Sequence, residues 1–235
     1  MNLTELKRKN SVSIYRCILD GINSTIPIAK TIGLSQLTVC ELANEMVARE
    51  ILDITKPKRN VKGRRIHYFQ PSHKFYTAII DVQKNFICTI GITPSGNVTE
   101  RFDYPVNYLD KTVQQILSDH VIKKLKNCQS FKYCTSVYVL CDSNDSYDVG
   151  EDITVTTKER LIVDAIAHKD KAMLFEFNGK CLVSLYSHVY QPKVSKDELI
   201  KAIPFDEFRC YDGDLFEIFI DSIQRIATKR LEDVI

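Results

Sequence analysis

Residues 24–65 constrain the fold of this 235-residue chain more than any other stretch. A short amphipathic run begins after Ser24 and meets Gly33, and Ser35 then stands where its side chain can cap a second amphipathic run. An earlier run over residues 11–20 has apolar residues at near-helical spacing and ends at Gly21. Two helices joined by such a turn form a helix-turn-helix, whose second helix enters the major groove of DNA. The pattern therefore predicts a DNA-binding unit.

The segment that follows the second helix is strongly basic. Residues 51–54 and 66–69 predict two strands, and the loop between them has no acidic residue at positions 56–65. The residues of this loop that we expect to contact phosphates are Lys56, Lys58, Arg59, Lys62, Arg64 and Arg65. Such contacts give salt-sensitive affinity that does not depend on base sequence. A solvated basic loop on an ordinary helical domain is the alternative, but the position directly after a helix-turn-helix favours a winged helix that binds double-stranded DNA.

The second helix of the pair, here called the recognition helix, divides into an inner and an outer face. The residues that we expect in the core are Leu37, Leu42, Met46 and Val47. The residues that we expect at the DNA are Ser35, Gln36, Thr38, Val39, Glu41 and Asn44. Glutamine and asparagine can hydrogen-bond adenine, threonine can contact phosphate or a thymine methyl, and glutamate can accept from cytosine N4. The sequence does not decide which of these side chains touches a base.

Charge is distributed unevenly along the chain. Residues 1–72 contain 12 Lys and Arg against 6 Asp and Glu, whereas residues 73–235 contain 20 against 24. A basic first third joined to a mildly acidic remainder predicts a nucleic-acid-binding domain at 1–72 and a second domain at 73–235 that does not touch DNA. A chance fluctuation of surface charge is the alternative, and the clustering at 56–65 disfavours it.

The eight cysteines indicate a reducing compartment. They form no CxxC pair, and several, such as Cys88 and Cys141, lie inside apolar runs, where cysteine usually serves as a small buried apolar residue. The N-terminus has no apolar signal region, and no apolar run reaches membrane-spanning length. We therefore expect a cytoplasmic protein with no membrane partner.

The remaining two thirds predict an α/β domain. The pattern predicts strands at 75–82, 86–92 and 98–104, a helix over 111–126 capped by Asp110, and a buried strand at 137–141 parallel to the first. Further along it predicts a helix opened by a Thr156–Glu159 capping box, a hairpin over 173–186, a short helix at 196–202 and an amphipathic helix from Asp214. The last helix packs on the body or meets a second subunit.

Several of these signals resemble the N-terminal domain of ROK-family transcriptional repressors. They are Asn10 in a helix start, Ser24, Thr31-Ile32-Gly33-Leu34-Ser35, Thr38-Val39 and Lys62-Gly63-Arg64-Arg65, with Cys40 as a minor departure. The resemblance implies a winged helix joined to a sugar-kinase-like body of the actin/hexokinase type, a homodimer and a sugar-like effector. In the body it extends only to the order strand, strand, strand, helix, strand and to the strand end Ile79-Ile80-Asp81. The body is also short, so its second lobe must be abridged.

The body has no sequence signature of an active site. Residues 73–235 contain five glycines and no GxG, whereas a sugar kinase of this fold needs glycine-rich turns against phosphate. The His and Cys cluster of the family's zinc site has no counterpart, because Cys128, Cys134 and Cys141 are six and seven residues apart. No GxSxG motif occurs. We expect no catalytic residue, no cofactor and no metal.

The sequence therefore predicts a sequence-specific transcription regulator, a repressor in the leading hypothesis, with a degenerate ROK-like body. Two alternatives stay open. One is a residual sugar or nucleotide kinase that carries a regulatory helix-turn-helix. The other is a protein–protein adaptor that uses the winged helix as a scaffold.

Overall fold

The computed structural model describes residues 2–55, 67–106, 112–141, 146–166, 172–177, 180–185, 188–190, 208–211 and 215–235. Its first elements are three helices and a pair of strands. They are α1 (Leu3–Leu19), α2 (Thr25–Ile32), α3 (Gln36–Ala48), β1 (Leu52–Thr55) and β2 (Tyr68–Pro71). All five were predicted, in this order.

Helix α1 is longer than the sequence pattern indicated. It begins at Leu3 rather than near residue 11, because the Asn2 side chain accepts a hydrogen bond from the Glu5 backbone N–H and caps it. Its first turns are exposed and mostly polar, with Leu3 and Leu6 as the apolar exceptions, so they carry little apolar periodicity that could reveal them. Asn10 consequently lies inside α1, and its placement at a helix start was wrong. The predicted stop at Gly21 is confirmed, with a φ of 84°.

Strands β1 and β2 are antiparallel, with Leu52 opposite Pro71 and Thr55 opposite Tyr68. The Phe69 backbone N–H donates to the Asn23 carbonyl over 2.8 Å, which fastens β2 to the segment before α2. One core joins the helices to this pair of strands. Its largest buried side chains are Ile14, Tyr15, Ile28, Met46, Ile51, Leu52 and Phe69.

A mixed five-stranded sheet follows. Its strands are β3 (Tyr76–Val82), β4 (Phe86–Ile92), β5 (Val98–Pro105), β6 (Cys134–Leu140) and β7 (Ile153–Thr156). Their order is β5-β4-β3-β6-β7, with antiparallel pairing among β3, β4 and β5 and parallel pairing of β6 with β3 and β7. The predicted order of three strands, a helix and a parallel strand is confirmed, and it is consistent with an actin-like domain. Strand β7 was not predicted.

The connection between β5 and β6 is helical but irregular. It contains α4 (Val113–Ile116), a π-helical segment (Leu117–Ile122), α5 (Lys123–Asn127) and a 3₁₀ turn (Gln129–Tyr133). Thr112 and Gln115 form a reciprocal capping box at its start, so the predicted cap at Asp110 was wrong. Ile116, Leu117 and Val121 are buried against one face of the sheet.

The last part of the described chain holds a second, four-stranded sheet. Its elements are α6 (Lys158–Ile166), β8 (Ala172–Phe177), β9 (Lys180–Leu185), β10 (His188–Tyr190), β11 (Phe208–Tyr211) and α7 (Leu215–Val234). The strand order is β10-β9-β8-β11, and the predicted β8–β9 hairpin is confirmed. Helix α6 is capped by Thr157, whose hydroxyl accepts from the Arg160 N–H, one residue later than predicted. The helix predicted at 196–202 lies outside the described residues.

Helix α7 connects the five-stranded sheet to the N-terminal helices. Ile223 is fully buried against Ile79 and Ile92, so the predicted packing on the body is confirmed. Eight residues later, Leu231 is fully buried in the core of the N-terminal helices. Arg49, just after α3, donates to the backbone carbonyls of the last two residues. The contacts of Leu231 and of Arg49 between α7 and the N-terminal helices were not predicted. They attach the end of α7 to the first part of the chain.

The Arg16 guanidinium reinforces this attachment. It donates to both carboxylate oxygens of Glu232, over 2.6 and 2.7 Å. The Glu232 side chain is only 12% exposed. Such a bidentate pair fixes orientation as well as charge.

None of the helices in the described ranges combines the length and the apolar character that a bilayer crossing requires.

Candidate nucleic-acid interface

The turn between α2 and α3 has the predicted conformation. Gly33 ends α2 with a φ of 69°, a left-handed conformation that side chains disfavour. The Leu34 backbone N–H donates back to the Ala29 carbonyl over 3.2 Å and closes the turn. The glycine thus sets the angle at which the recognition helix α3 leaves α2.

Ser35 caps the recognition helix, as predicted. Its hydroxyl oxygen accepts from the Thr38 backbone N–H over 3.0 Å. The Thr38 hydroxyl lies 2.8 Å from the same oxygen and is half-buried. Both hydroxyls are therefore engaged with each other and with the start of the helix.

Gln36 stands at the exposed first position of α3. Its side-chain amide donates to the Thr25 hydroxyl over 3.3 Å, which joins the first turn of α3 to the first turn of α2. Glu41 and Asn44 are also exposed, one and two turns further along. These three side chains occupy the outer face, where they were expected.

Two assignments on the recognition helix were wrong. Val39 was expected at the DNA, but it is 0% exposed and packs in the N-terminal core. Leu37 was expected in the core, but it is 68% exposed. The inner face follows Val39, Leu42, Ala43 and Met46, which are spaced i, i+3, i+4 and i+7. That spacing is legible in the sequence and was the signal that could have placed both residues correctly.

Leu37 is therefore part of the outer face at the start of the recognition helix. Ile26, at the start of α2, is 48% exposed as well. The described outer face thus combines polar side chains with two large apolar ones.

This outer face is not strongly charged in the described part of the chain. Glu45 is paired with Lys7 of α1 over 2.8 Å, which leaves Lys30 and Glu41 as exposed charges of opposite sign. The basic residues expected at phosphate, Lys56, Lys58, Arg59, Lys62, Arg64 and Arg65, lie outside the described residues. Strands β1 and β2, which flank this segment, pair with each other as an antiparallel pair.

The body offers a different environment at Asp81, the strand-end carboxylate. The Lys158 ammonium and the Gln83 amide both donate to its Oδ2 atom, over 2.8 and 2.7 Å. Within the described ranges, no group of three or more His, Cys, Asp or Glu side chains could hold a metal ion.

Comparisons with known proteins give structural similarities alone. No protein-family model matches this sequence. No curated protein matches it by sequence either.

The solved structures that are similar to the chain include the following three. One is a ROK family transcriptional regulator, a homologue of the E. coli MLC protein, with 12% identity and a TM-score of 0.49 over 81% of this chain. The chain spans 57% of that regulator's length. The second is an inorganic polyphosphate/ATP-glucomannokinase from Arthrobacter sp. strain KM, with 11% identity, a TM-score of 0.31, and coverage of 50% of this chain and 61% of that one.

The third is the ethanolamine utilization protein EutJ from Carboxydothermus hydrogenoformans, with 11% identity, a TM-score of 0.27, and coverage of 72% and 66%. The neighbours thus include a regulator and a sugar kinase. At these identities and scores they assign no function.

Proposed function

We propose that this protein is a DNA-binding transcription regulator in which residues 1–72 act as a winged helix. The observation that carries this proposal is a recognition helix that starts behind a left-handed glycine turn and exposes its first residues. An antiparallel pair of strands follows it, joined by a segment with six basic residues and no acidic one. Recognition helix and basic hairpin supply the two kinds of contact that specific DNA binding requires, to base edges and to phosphates.

Each side chain has a role in this proposal. Gln36, Glu41 and Asn44 face the major groove and read base edges, while Ser35 and Thr38 hold the first turn of the helix in place. The phosphate contacts come from Lys56, Lys58, Arg59, Lys62, Arg64 and Arg65. Val39 belongs to the core and has no role at the DNA.

The body, residues 73–235, acts in this proposal as a shortened, non-catalytic actin-like domain that dimerises and senses a sugar-like effector. A two-fold symmetric repressor in the cytoplasm would then bind a palindromic operator, with half-sites about one helical turn apart. The engaged carboxylate of Asp81 agrees with a body that does not transfer phosphoryl groups. Phosphoryl transfer from ATP to a sugar, at a rate above background, would overturn the non-catalytic part.

Selection from a random double-stranded DNA pool tests DNA binding and supplies an operator. Gel shifts over a range of salt concentrations then compare variants. Replacing Arg64 and Arg65 by Ala should weaken binding to all sequences and lower the salt slope by about one per lost contact. The double variant Lys123→Ala/Lys126→Ala removes the same charge from exposed positions in the body and should bind like the unmodified protein. Absence of DNA binding even at low salt refutes the proposal.

A protein–protein adaptor is the second candidate, because Leu37 and Ile26 expose apolar side chains at the starts of α3 and α2. Its signature would be a stable complex with a partner protein that survives the loss of Arg64 and Arg65. A DNA-binding regulator would instead lose its affinity for the operator in that variant.

A further inference from the structure

A cavity of about 590 Å³ lies between the segment that joins β2 to β3, the start of β5 and the 3₁₀ turn before β6. The proposed function assigns it no role. Its lining includes Lys74, Tyr76, Thr99, Ser130, Lys132 and Tyr133. The volume is within the range of small-molecule sites, roughly 300–1,000 Å³.

The inner wall of the cavity is fixed by close packing around Gly91. A Cβ atom at this position would lie 2.6 Å from the Thr99 hydroxyl and 2.8 Å from the Tyr76 ring. Any side chain at Gly91 would therefore displace two of the lining residues. Tyr76 itself is 1% exposed.

The charge of the lining has one sign. Lys74, Lys132 and His73 line the cavity, and no lining residue is an aspartate or a glutamate. The Lys132 ammonium lies 4.7 Å from the centre of the Tyr133 ring, and no carboxylate of the described residues forms an ion pair with it. An anion that enters this cavity would meet the ammonium groups of the wall, while the Glu100 carboxylate accepts a hydrogen bond from the lining hydroxyl of Ser130 over 2.7 Å.

Glu50 now neutralises part of this charge from outside the lining. Its carboxylate accepts from the Lys74 ammonium and, over 2.6 Å, from the Tyr133 hydroxyl. The hydrogen bond from Lys74, the one from Tyr133 and the charge of Lys132 together lower the pKa of Glu50. Lys74 thus already holds one carboxylate, which belongs to the chain itself.

We propose that this cavity binds a small anion, a carboxylate or a phosphate, between Lys74 and Lys132, where it competes with Glu50 for Lys74. Ammonium groups bind both anions as point charges. The ring of Tyr133 provides apolar surface for the rest of an organic ligand. The ligand and the Glu50 carboxylate repel each other, so occupation of the cavity releases Glu50 from the body.

The position of Glu50 gives this competition a consequence for the N-terminal helices. Glu50 follows the recognition helix within two residues, and its φ of 60° is unusual for a residue other than glycine. Its contacts with Lys74 and Tyr133 join the end of that helix to the body. An anion in the cavity would remove this connection.

Titration with inorganic phosphate, and separately with acetate, at constant ionic strength tests the proposal. Backbone amide shifts of residues 73–76 and 129–133 in two-dimensional NMR spectra should saturate with at least one of the two anions. Lys132→Gln should weaken the binding about fivefold, and Glu50→Gln should strengthen it about fivefold, since each changes one close charge. Lys9→Gln removes an exposed lysine of α1 and should leave the dissociation constant unchanged.

The comparison of the two anions distinguishes a phosphate site from a carboxylate site. Shifts that rise without saturation for both anions would overturn the proposal. So would an equal effect of Lys132→Gln and Lys9→Gln, or a dissociation constant that does not change in Glu50→Gln. All three side chains are exposed, so circular dichroism should show unchanged folding in each variant.

Discussion

Leu231 near the end of α7 is the residue through which the C-terminus should stabilise the N-terminal helices. Its side chain is 0% exposed and lies in the same core as Ile14, Val39 and Leu42. Leu231→Ala removes three buried carbons, worth about 2.4 kcal/mol at roughly 0.8 kcal/mol each. The cavity that remains adds a further cost, so we expect a total loss of about 3 kcal/mol in the free energy of unfolding.

Urea denaturation followed by circular dichroism measures this loss, and hydrogen exchange with mass spectrometry locates it. Peptides from α1 and α3 should exchange faster in Leu231→Ala, because the end of α7 packs directly on them. Peptides from β3 and β4 should change less, since Ile223 still anchors α7 to the sheet.

Val234→Ala is the matched control on the same helix. Val234 is 45% exposed, so its truncation should cost less than about 0.5 kcal/mol. If both variants lose the same stability, or if α1 and α3 exchange as in the unmodified protein, the end of α7 is not part of the N-terminal core.

Three further predictions concern single residues. Leu37→Ala should weaken operator binding by about 1 kcal/mol if the side chain contacts a thymine methyl, which gel shifts with the selected operator would measure. Gly33→Ala should lower the free energy of unfolding by about 1 kcal/mol in urea denaturation; a Cβ there meets no atom within 4 Å, so the whole cost comes from the left-handed backbone. Burial raises the pKa of the Cys134 thiol to about 11, so at pH 8 iodoacetamide should alkylate it roughly 100-fold more slowly in the native protein than in urea.

Each of these has its own control. Operators in which uracil replaces thymine lack the methyl group, and they should reduce the affinity of the unmodified protein but not of Leu37→Ala; equal reductions would contradict the contact. Gly33→Asn should lose less stability than Gly33→Ala, because asparagine tolerates the left-handed conformation. For Cys134, equal alkylation rates with and without urea would show that the thiol is accessible in the folded protein.

The raised pKa of Cys134 also makes the free energy of unfolding depend on pH. The neutral thiol is the form that burial favours, so its contribution to stability is complete below the unfolded pKa of about 9. That contribution should decline as the pH rises from about 9 toward 11. Urea denaturation at pH 7 and at pH 10 would measure the difference.

Local signals in the sequence determined much of the fold. Gly33 and Ser35 placed the turn and the start of α3, because a left-handed glycine and a serine cap act through neighbouring backbone groups alone. Apolar runs and turn residues placed β3, β4 and β5 to within about a residue. Helix α1 was partly missed because its first turns are exposed and mostly polar, and β7 because a four-residue strand carries little pattern of its own.

The sequence also indicates the inner and outer faces of α3, but only when the apolar spacing is followed over the whole helix. Val39 and Leu37 are both apolar, and only the series that continues through Leu42, Ala43 and Met46 separates the buried one from the exposed one. The predicted core set, Leu37, Leu42, Met46 and Val47, departed from that series and reversed the two.

Only the tertiary structure decided which distant segments share a core or a site. Leu231 packs in the same core as Ile14, although more than two hundred residues separate them in the sequence. Glu50 accepts a hydrogen bond from Tyr133, which lies 83 residues further along. No local pattern encodes such pairings, because they depend on how the sheet and α7 place side chains that are far apart in sequence. The sequence by itself therefore determined a helix-turn-helix and an α/β body, and the folded chain determined how the two are joined.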